Sequence, residues 1–251
     1  SPTKSPAIRK FHEPFGMNQK TKLTNRLLKL ATDAIFTGKY TYLGVTKADF
    51  KVPVGNARQS ATDWSVSSTA TPMKDLYALQ TTDPLYMRYK ILEYVISPAT
   101  HAAILNSEEV RKVLVNNSNA VGDINMLRTL LYPGLAPFKV VADSYQLQTT
   151  AVDGSIINGN TTYFVPDWKI LAVPDFSGTL YGAYGEIQMT YNMNDPAATP
   201  EKPAMGVYSF VDELGLLQRK NPHVEVVTGF NGGSNLMRSN DVLIITVKAG
   251  V

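Results

Sequence analysis

Residues able to do acid–base or metal chemistry are few and scattered along this chain. Its three histidines, His12, His101 and His223, stand in different sequence settings. A zinc site needs clustered ligands, and a serine hydrolase needs a nucleophile beside an oriented base. Neither spacing is present, so we expect structural or surface roles for all three histidines. Ser97 is followed by Pro98, which is typical of a helix cap and not of a strained nucleophile.

A glycine-rich run, GFNGGSN at residues 229–235, invites a phosphate-binding interpretation. A P-loop places a lysine and a hydroxyl residue directly after its last glycine, whereas here Ser234 is followed by Asn235. We therefore predict a mobile loop, and the sequence predicts no cofactor and no metal. A hydrolase built on turn carboxylates stays open as an alternative, because one sequence does not give their separation. The acids predicted to lie at turns are Asp143, Asp153, Asp167 and Asp175.

Composition limits the class of protein that must hold these residues. Of the 251 residues, 44% are hydrophobic and 18% charged, with 17 glycines, 15 prolines and 13 tyrosines, which favours turns and strands over a helical bundle. Cysteine is absent, so disulfides and thiolate chemistry are excluded. No run reaches the roughly 18 apolar residues of a membrane helix, and no secretion signal is recognisable. We expect a soluble chain made in the cytoplasm.

Charge is concentrated near the start of the chain. Within residues 1–30, seven Lys and Arg residues against Glu13 alone amount to +6, which leaves −3 for the rest of a chain of net charge +3. A basic segment can pair with a neighbouring copy, face nucleic acid, or be a solvated helix face. Aromatic residues between the cations are limited to Phe11 and Phe15, so we expect no sequence-specific reading of bases.

The N-terminal part of the sequence predicts a long amphipathic helix over residues 18–36, with Asn18 as its cap and Gly38 as its stop. Residues 1–17 are predicted to be extended because they contain Pro2, Pro6, Pro14 and Gly16. The predicted apolar stripe is Leu23, Leu27, Leu30, Ala31, Ala34 and Ile35. The predicted polar face carries Lys20, Lys22, Arg26 and Lys29.

Alternating residues over 39–54 predict a hairpin with its turn at 44–49, followed by a loop over 55–69 that Trp64 anchors. Thr71 with Pro72, and Ser97 with Pro98, predict helix starts, and a further helix is predicted from Ser107 to Val115. Turns are expected at Asp153-Gly154 and Asn158-Gly159. Later strands are predicted at 89–96, 138–148, 163–165, 170–173, 184–191, 206–211, 224–229 and 242–247. The fold class is therefore α+β.

The order of these elements resembles the lambda-type tailed-phage major capsid proteins. The resemblance runs over most of the chain, and it lies in the order and spacing of its pieces, because no single piece is diagnostic. The pieces are TGKYTYLG, ADFKVPVG, TDW, TPMKDLYAL, YVISPATHAAILNSEEVRKVL, YFVPDWKILAVPD, GTLYGAYGEI and DVLIITVKAG.

The resemblance implies an HK97-like fold with a peripheral domain, an axial domain and an extended loop. Residues 1–17 would be the loop remnant, 18–70 with 223–251 the peripheral domain, and 71–222 the axial domain. The helix at 18–36 would be the spine, and residues 39–54 would form a long sheet with the strand at 242–247. Relative to the family pattern the sequence starts late, so the N-terminal arm and the first half of the loop are expected to be absent, cleaved, or outside the sequence given.

The implied function is a head protein of the virion that is not an enzyme, that assembles into hexamers and pentamers of an icosahedral shell, and that encloses double-stranded DNA. Implied partners are portal, scaffold and decoration proteins, and DNA held by non-specific contact, with no membrane. An encapsulin-like shell without a viral role is the nearer alternative, and an unrecognised hydrolase is the more distant one. Candidate inter-subunit residues are Arg9, Lys10, Phe11, His12, Glu13, Phe15, Lys20 and Arg26.

Overall fold

The structure is a computed structural model that describes residues 6–42, 44–116, 123–150, 156–176, 184–190, 206–212, 223–229 and 231–250. Its described helices are α1 (Pro6–Thr37), α2 (Pro72–Thr82), α3 (Pro84–Arg88), α4 (Pro98–Asn106), α5 (Glu108–Asn116) and α6 (Ile124–Leu131). The described strands up to β8 are β1 (Lys39–Tyr42), β2 (Val45–Asp49), β3 (Ala57–Gln59), β4 (Ile91–Ile96), β5 (Phe138–Val140), β6 (Ser144–Thr150), β7 (Ile156–Tyr163) and β8 (Lys169–Pro174). The later ones are β9 (Gly185–Thr190), β10 (Gly206–Asp212), β11 (His223–Gly229), β12 (Asn231–Leu236) and β13 (Leu243–Thr246). The α+β fold class is confirmed.

The chain divides into two compact units. The first comprises Ser1–Ala31 and Glu186–Asn235, and the second Thr32–Gly185 and Leu236–Val251. In the first unit, β10 and β11 form an antiparallel pair whose register runs from Gly206 opposite Gly229 to Asp212 opposite His223. The strands β9 and β12 also pair.

A five-stranded sheet in the order β3-β13-β8-β4-β5 organises the second unit. The strand β13 lies parallel to β3 and antiparallel to β8, and β4 lies antiparallel to β8 and parallel to β5. Two further antiparallel pairs, β1–β2 and β6–β7, belong to the same unit.

Apolar side chains on both faces of the central strands explain why this sheet is buried. Successive residues of a strand point to opposite faces, and along β13 Leu243 and Ile245 enter one core cluster while Ile244 packs against the other. The strand β8 repeats the pattern with Ile170 and Leu171. The first cluster joins the sheet to the helices through Met73, Leu76, Ile104, Val110 and Leu127. The second contains Phe36, Val165, Leu171, Tyr184, Leu236 and Val242.

Several helix starts agree with their sequence signals. Thr71 is the N-cap of α2 and Ser97 the N-cap of α4, each followed by proline. The helix α5 spans the predicted range, with Glu108 and Glu109 in its first turn. At the end of α1, Gly38 has φ +67, a left-handed conformation that glycine adopts without the steric cost of a Cβ atom.

The predicted start of the first helix is wrong, because α1 begins at Pro6 and not at Asn18. The expectation of an extended segment gave too much weight to its prolines. Pro6 occupies the first turn of a helix, where a missing N–H costs nothing, and Pro14 removes only one bond from a long helix. The intervening Ala, Arg, Lys and Glu residues are good helix formers.

The hairpin at 39–54 is present, but its predicted turn is misplaced. The strand β2 occupies Val45–Asp49, where the turn was expected, and Gly44 has φ +76 at the turn itself. Directly after the strand, the Asp49 carboxylate accepts from Lys51 N at 3.0 Å and Lys51 has φ +54. The predicted long sheet of residues 39–54 with the C-terminal strand is also wrong, since β1 and β2 pair with each other while β13 pairs with β3 and β8.

Several other predictions of turns, loops and strands are wrong, and two helices were not predicted. Asn158 and Gly159 are not a turn but lie within β7, where the pairing with β6 shifts between Gln146 and Gln148, so Gly159 lies at a bulge. The glycine run at 231–235 lies in β12 and is not a loop. The strand predicted at 138–148 is two strands, β5 and β6, and the one predicted at 163–165 ends at Tyr163. The helices α3 and α6 were not predicted, and the Asp153-Gly154 turn lies outside the described residues.

Candidate functional site

The eight candidate inter-subunit residues, Arg9 to Arg26, all lie in α1. The structure describes side chains of this helix from Thr21 onward, and among the eight Arg26 is exposed. Contacts of the other seven side chains stay a prediction. All eight residues therefore lie on one helix, whereas the sequence predicts an extended segment for six of them.

The described part of α1 has one cationic and one apolar face. Lys22 and Arg26 are exposed and Lys29 is half-buried, at spacings of four and three residues that place them on the same side of a helix. On another side Leu27, Leu30 and Ala34 are buried. The remaining members of the predicted apolar stripe, Leu23, Ala31 and Ile35, are half-buried, so the amphipathic prediction is confirmed for this part of the helix.

The Ser97 hydroxyl, the most plausible nucleophile by residue type, is committed to a helix cap. It donates to Asp167 Oδ1 at 2.6 Å and accepts from Thr100 N at 3.3 Å, and both Ser97 and Thr100 are fully buried. Thr100 Oγ1 in turn accepts from Trp168 N at 3.1 Å. His101 follows on the same helix, where burial lowers the pKa of its imidazole. A substrate cannot reach a hydroxyl that is buried and doubly bonded, so this group anchors α4 and performs no acyl transfer.

Asp75 is the centre of a second buried polar network. Its Oδ2 accepts from Thr62 N at 3.0 Å, from Thr62 Oγ1 at 2.6 Å and from Trp64 Nε1 at 3.1 Å. Its Oδ1 accepts from Thr71 Oγ1 at 3.0 Å. Trp64 is 1% exposed, which confirms it as the anchor of the segment before α2. The carboxylate therefore holds that segment against the helix that follows it.

Glu109, from α5, caps the start of α2. Its two carboxylate oxygens accept from Met73 N at 2.9 Å and Lys74 N at 3.1 Å, which satisfies two of the backbone donors that a helix start leaves free. Burial is the main cause that raises the pKa of Glu109, and the nearby Asp75 carboxylate raises it further, while the two backbone hydrogen bonds oppose the shift. Glu109 therefore joins α5 to the start of α2, and both of its carboxylate oxygens accept a hydrogen bond.

The remaining candidates for chemistry do not converge. Asp143 is exposed, and Asp175 is half-buried with an ion pair to Lys90 at 3.3 Å. Among the described side chains, no group of three or more His, Asp or Glu residues could hold a metal ion. No helix in the described ranges is long and apolar enough to cross a membrane.

The surface of the second unit exposes large apolar side chains. Met126 and Leu130, four residues apart on α6, are 42% and 48% exposed, and Val140 on the neighbouring part of the chain is also exposed. Val54 is 92% and Met87 61% exposed. Sequence reasoning missed this surface because it missed α6, although Asp123 before an apolar run is an N-cap signal, and the Asp123 carboxylate does accept from Asn125 N.

The strand β5, which is the outer strand of the sheet, has its backbone partly paired by a side chain. The Asn125 carboxamide accepts from Phe138 N at 2.8 Å and donates to Phe138 O at 3.0 Å, so it replaces one residue of an absent neighbouring strand. Such blocking of an edge limits uncontrolled pairing with other chains. No sequence signal identifies this role, because it depends on where α6 packs.

Comparison with known proteins adds a distant likeness in fold. No protein-family model and no curated protein matches the sequence. Among solved structures, a phage-related protein of Bordetella bronchiseptica RB50 gives a TM-score of 0.47 with 11% identity, over 78% of this chain and 58% of that one. A protein provisionally assigned as the capsid protein of a prophage of Escherichia coli CFT073 gives 0.43 with 14% identity, over 92% of this chain and 65% of that one.

The chain thus spans less than two thirds of the length of either neighbour. A likeness of this degree indicates neither a shared family nor a shared activity.

Proposed function

We propose that this chain is a subunit of a self-assembling protein shell, of the HK97-like phage capsid type. The proposal is supported by the order of the sequence pieces that resemble the lambda-type capsid family. It is supported equally by the described side chains. Their buried Asn, Asp, Ser and Thr groups form hydrogen bonds within the fold, and several large apolar side chains are exposed on the surface.

The observation that carries the proposal concerns the buried Asn, Asp, Ser and Thr side chains of the described residues. Each of the six bonds to at least one backbone group: Asn56, Ser60 and Ser107 donate to carbonyls, while Asp75, Ser97 and Thr100 accept from N–H groups. Two other buried polar atoms, the Tyr86 hydroxyl and Arg128 Nε, have no hydrogen-bond partner. A catalytic site keeps some buried polar groups directed at a substrate. Here these side chains are used for caps and turns, as expected of a scaffold.

Exposed apolar side chains also support assembly with other subunits. Met126 and Leu130 on α6 offer an apolar strip that a neighbouring subunit would remove from water, at about 25 cal/mol per Å² of apolar surface. Individual contacts between subunits can be small, because a subunit held on several sides at once dissociates only when all of them open. Hexamers and pentamers, and portal, scaffold and decoration partners, belong to the same proposal.

The test is the assembly state of the purified chain. We expect negative-stain electron microscopy and light scattering to reveal closed particles, and we expect Leu130→Glu to abolish them without lowering the melting temperature. Thr129→Glu is the matched control, because it adds the same charge at a neighbouring exposed position of α6. A chain that stays monomeric at high concentration under all salt conditions would refute the shell.

The rival functions have separate signatures. Particles loaded with protein cargo and free of DNA would favour an encapsulin-like shell over a phage head. Turnover of a small substrate that is lost on Asp143→Asn and Asp175→Asn would favour the hydrolase, which no contact among the described residues supports at present.

A further inference from the structure

The outer strand β5 presents backbone groups that an added strand can use. Val140 lies opposite Ile96 in the parallel ladder with β4, and Val141 N donates to Ile96 O at 2.9 Å. In such a ladder, a strand bonds its neighbour through every second residue, and the residues between direct their N–H and C=O groups to the other side. The backbone groups of Phe138 and Val140 therefore point away from β4, along the edge of the sheet.

A side chain already holds one of these two residues. The Asn125 carboxamide accepts from Phe138 N at 2.8 Å and donates to Phe138 O at 3.0 Å. Because a carboxamide carries the same donor and acceptor as a peptide group, it occupies the place of one residue of a neighbouring strand. Among the described residues, none hydrogen-bonds to the outward N–H and C=O groups of Val140. The edge is thus half closed, by a group that another peptide backbone can replace.

We infer that the outer edge of β5 is a docking site for an extended segment of a partner protein, which pairs with Val140 and displaces the Asn125 carboxamide from Phe138. The exchange conserves the two hydrogen bonds at Phe138 and adds two at Val140. The segment also covers Val140 and Met126, whose side chains are 38% and 42% exposed. Strand addition of this kind takes affinity from main-chain bonds and specificity from alternate side chains, so the expected segment is apolar at every second position.

A second copy of the chain is the competing occupant, and the size of the edge argues against it. The strand β5 has three residues, which span about 10 Å. Pro137, directly before it, has no N–H to donate. Two folded copies joined at this edge would share far less than the roughly 800 Å² per partner of a stable interface. A flexible segment, in contrast, continues from the strand onto α6, where Met126 follows Asn125.

This inference goes beyond the proposed shell, because it concerns one chain and a peptide. The probe is the labelled peptide acetyl-Thr-Val-Thr-Val-Thr-amide, which is uncharged because Lys139 of β5 already pairs with Glu93 at 3.6 Å. Fluorescence anisotropy is measured on the full-length chain at concentrations where light scattering detects no particles. Peptide binding and shell assembly therefore fail separately.

Two variants at Val140 separate the backbone from the side chain. Val140→Pro removes the outward N–H and leaves the Val141 donor to β4 in place. Val140→Ala is the matched control, because it shortens the same side chain and keeps the N–H. A third variant, Asn125→Ala, frees the backbone of Phe138. Circular dichroism melting checks that each variant folds.

We expect Asn125→Ala to bind the peptide roughly tenfold more tightly than the native chain, since the peptide no longer competes with two internal hydrogen bonds. Val140→Pro should bind roughly tenfold more weakly than Val140→Ala. On the native chain, a peptide with N-methylated valines should lose binding to a similar extent, which tests the main-chain bonds even where the proline variant does not fold.

Equal binding by the proline and alanine variants, equal binding of the methylated peptide, or no gain in Asn125→Ala would overturn the inference. So would an Asn125→Ala chain that dimerises in light scattering and ignores the peptide, which would assign the edge to a second copy.

Discussion

The hydrogen bonds of the Asp75 carboxylate allow the most detailed prediction. Two substitutions, to alanine and to asparagine, separate the contribution of its negative charge from that of its acceptor atoms. Replacing Asp75 with alanine leaves the Trp64 indole N–H buried without a partner and removes the acceptor of Thr62 N. A buried donor left unsatisfied costs about 1–3 kcal/mol, so the summed loss should be about 3–5 kcal/mol.

Asp75→Asn should cost far less. Its amide oxygen can take the place of Oδ2 and keep the three donors from Thr62 and Trp64. Its NH2 group would face Thr71 Oγ1, and a hydroxyl can reverse from donor to acceptor. Only the charge assistance of the hydrogen bonds is lost, so we expect about 1–2 kcal/mol.

The assay is urea unfolding followed by far-UV circular dichroism, with the denaturant slope as a check that the same surface unfolds in each variant. Trp64→Phe supplies the reciprocal change, and a double-mutant cycle with Asp75→Asn isolates the indole–carboxylate bond. If Asp75→Asn proved as destabilising as Asp75→Ala, the hydrogen-bond reasoning would be refuted and buried charge would have to be the dominant factor.

Three further predictions concern stability and assembly. Leu27→Asp should destabilise the fold by more than about 3 kcal/mol in thermal or urea unfolding, because it buries a charge, whereas Leu28→Asp at an exposed position of the same helix should cost less than about 1 kcal/mol. Glu109→Gln should remove a pH dependence of stability in the range above the ordinary carboxyl pKa of 4.5, as measured by unfolding at a series of pH values. Reversing the charges of Arg9 and Lys10 should reduce particle formation in light scattering and leave the melting temperature unchanged.

The sign of the Glu109 effect follows from its raised pKa. The folded chain binds this proton more tightly than the unfolded chain, so the stability associated with the neutral form is present below the ordinary pKa and is lost as pH rises through the folded value. An unaltered pH profile in the glutamine variant would show that Glu109 is not the responsible group. Equal losses for the two leucine variants would contradict the assigned buried stripe, and normal particles from the Arg9 and Lys10 variant would exclude that segment as a clasp.

Several helix ends and strands were predicted correctly because a few neighbouring residues determine them. Thr71 before Pro72 and Ser97 before Pro98 start helices, because a cap and a proline act within one turn. Gly38 ends α1 for the same local reason. Apolar strands such as β8 and β13 were also found, since their residues are apolar on both faces.

Two of the errors arose where residues far apart in sequence decide the structure, whereas the start of α1 and the missed α6 were misjudged from local signals. The bulge at Gly159 depends on the register with β6, and β12 on pairing with β9, so neither sequence run could be assigned from its glycines alone. The observations behind the proposed function divide in the same way. Residue spacing alone predicts the amphipathic pattern of α1, whereas the hydrogen bonds that commit Ser97 and Asp75 to structural roles are seen only in the folded chain.

By itself, the amino-acid sequence determined the α+β class, the absence of thiol chemistry, the basic N-terminal segment and the helix starts at Pro72 and Pro98, because each depends on composition or on residues within a turn or two of one another. The tertiary structure alone decided the strand order β3-β13-β8-β4-β5, the capping of α2 by Glu109 from α5 and the use of Asn125 as an edge partner of β5. Those features join residues far apart in sequence, and their free energies exist only once the core has brought the partners together.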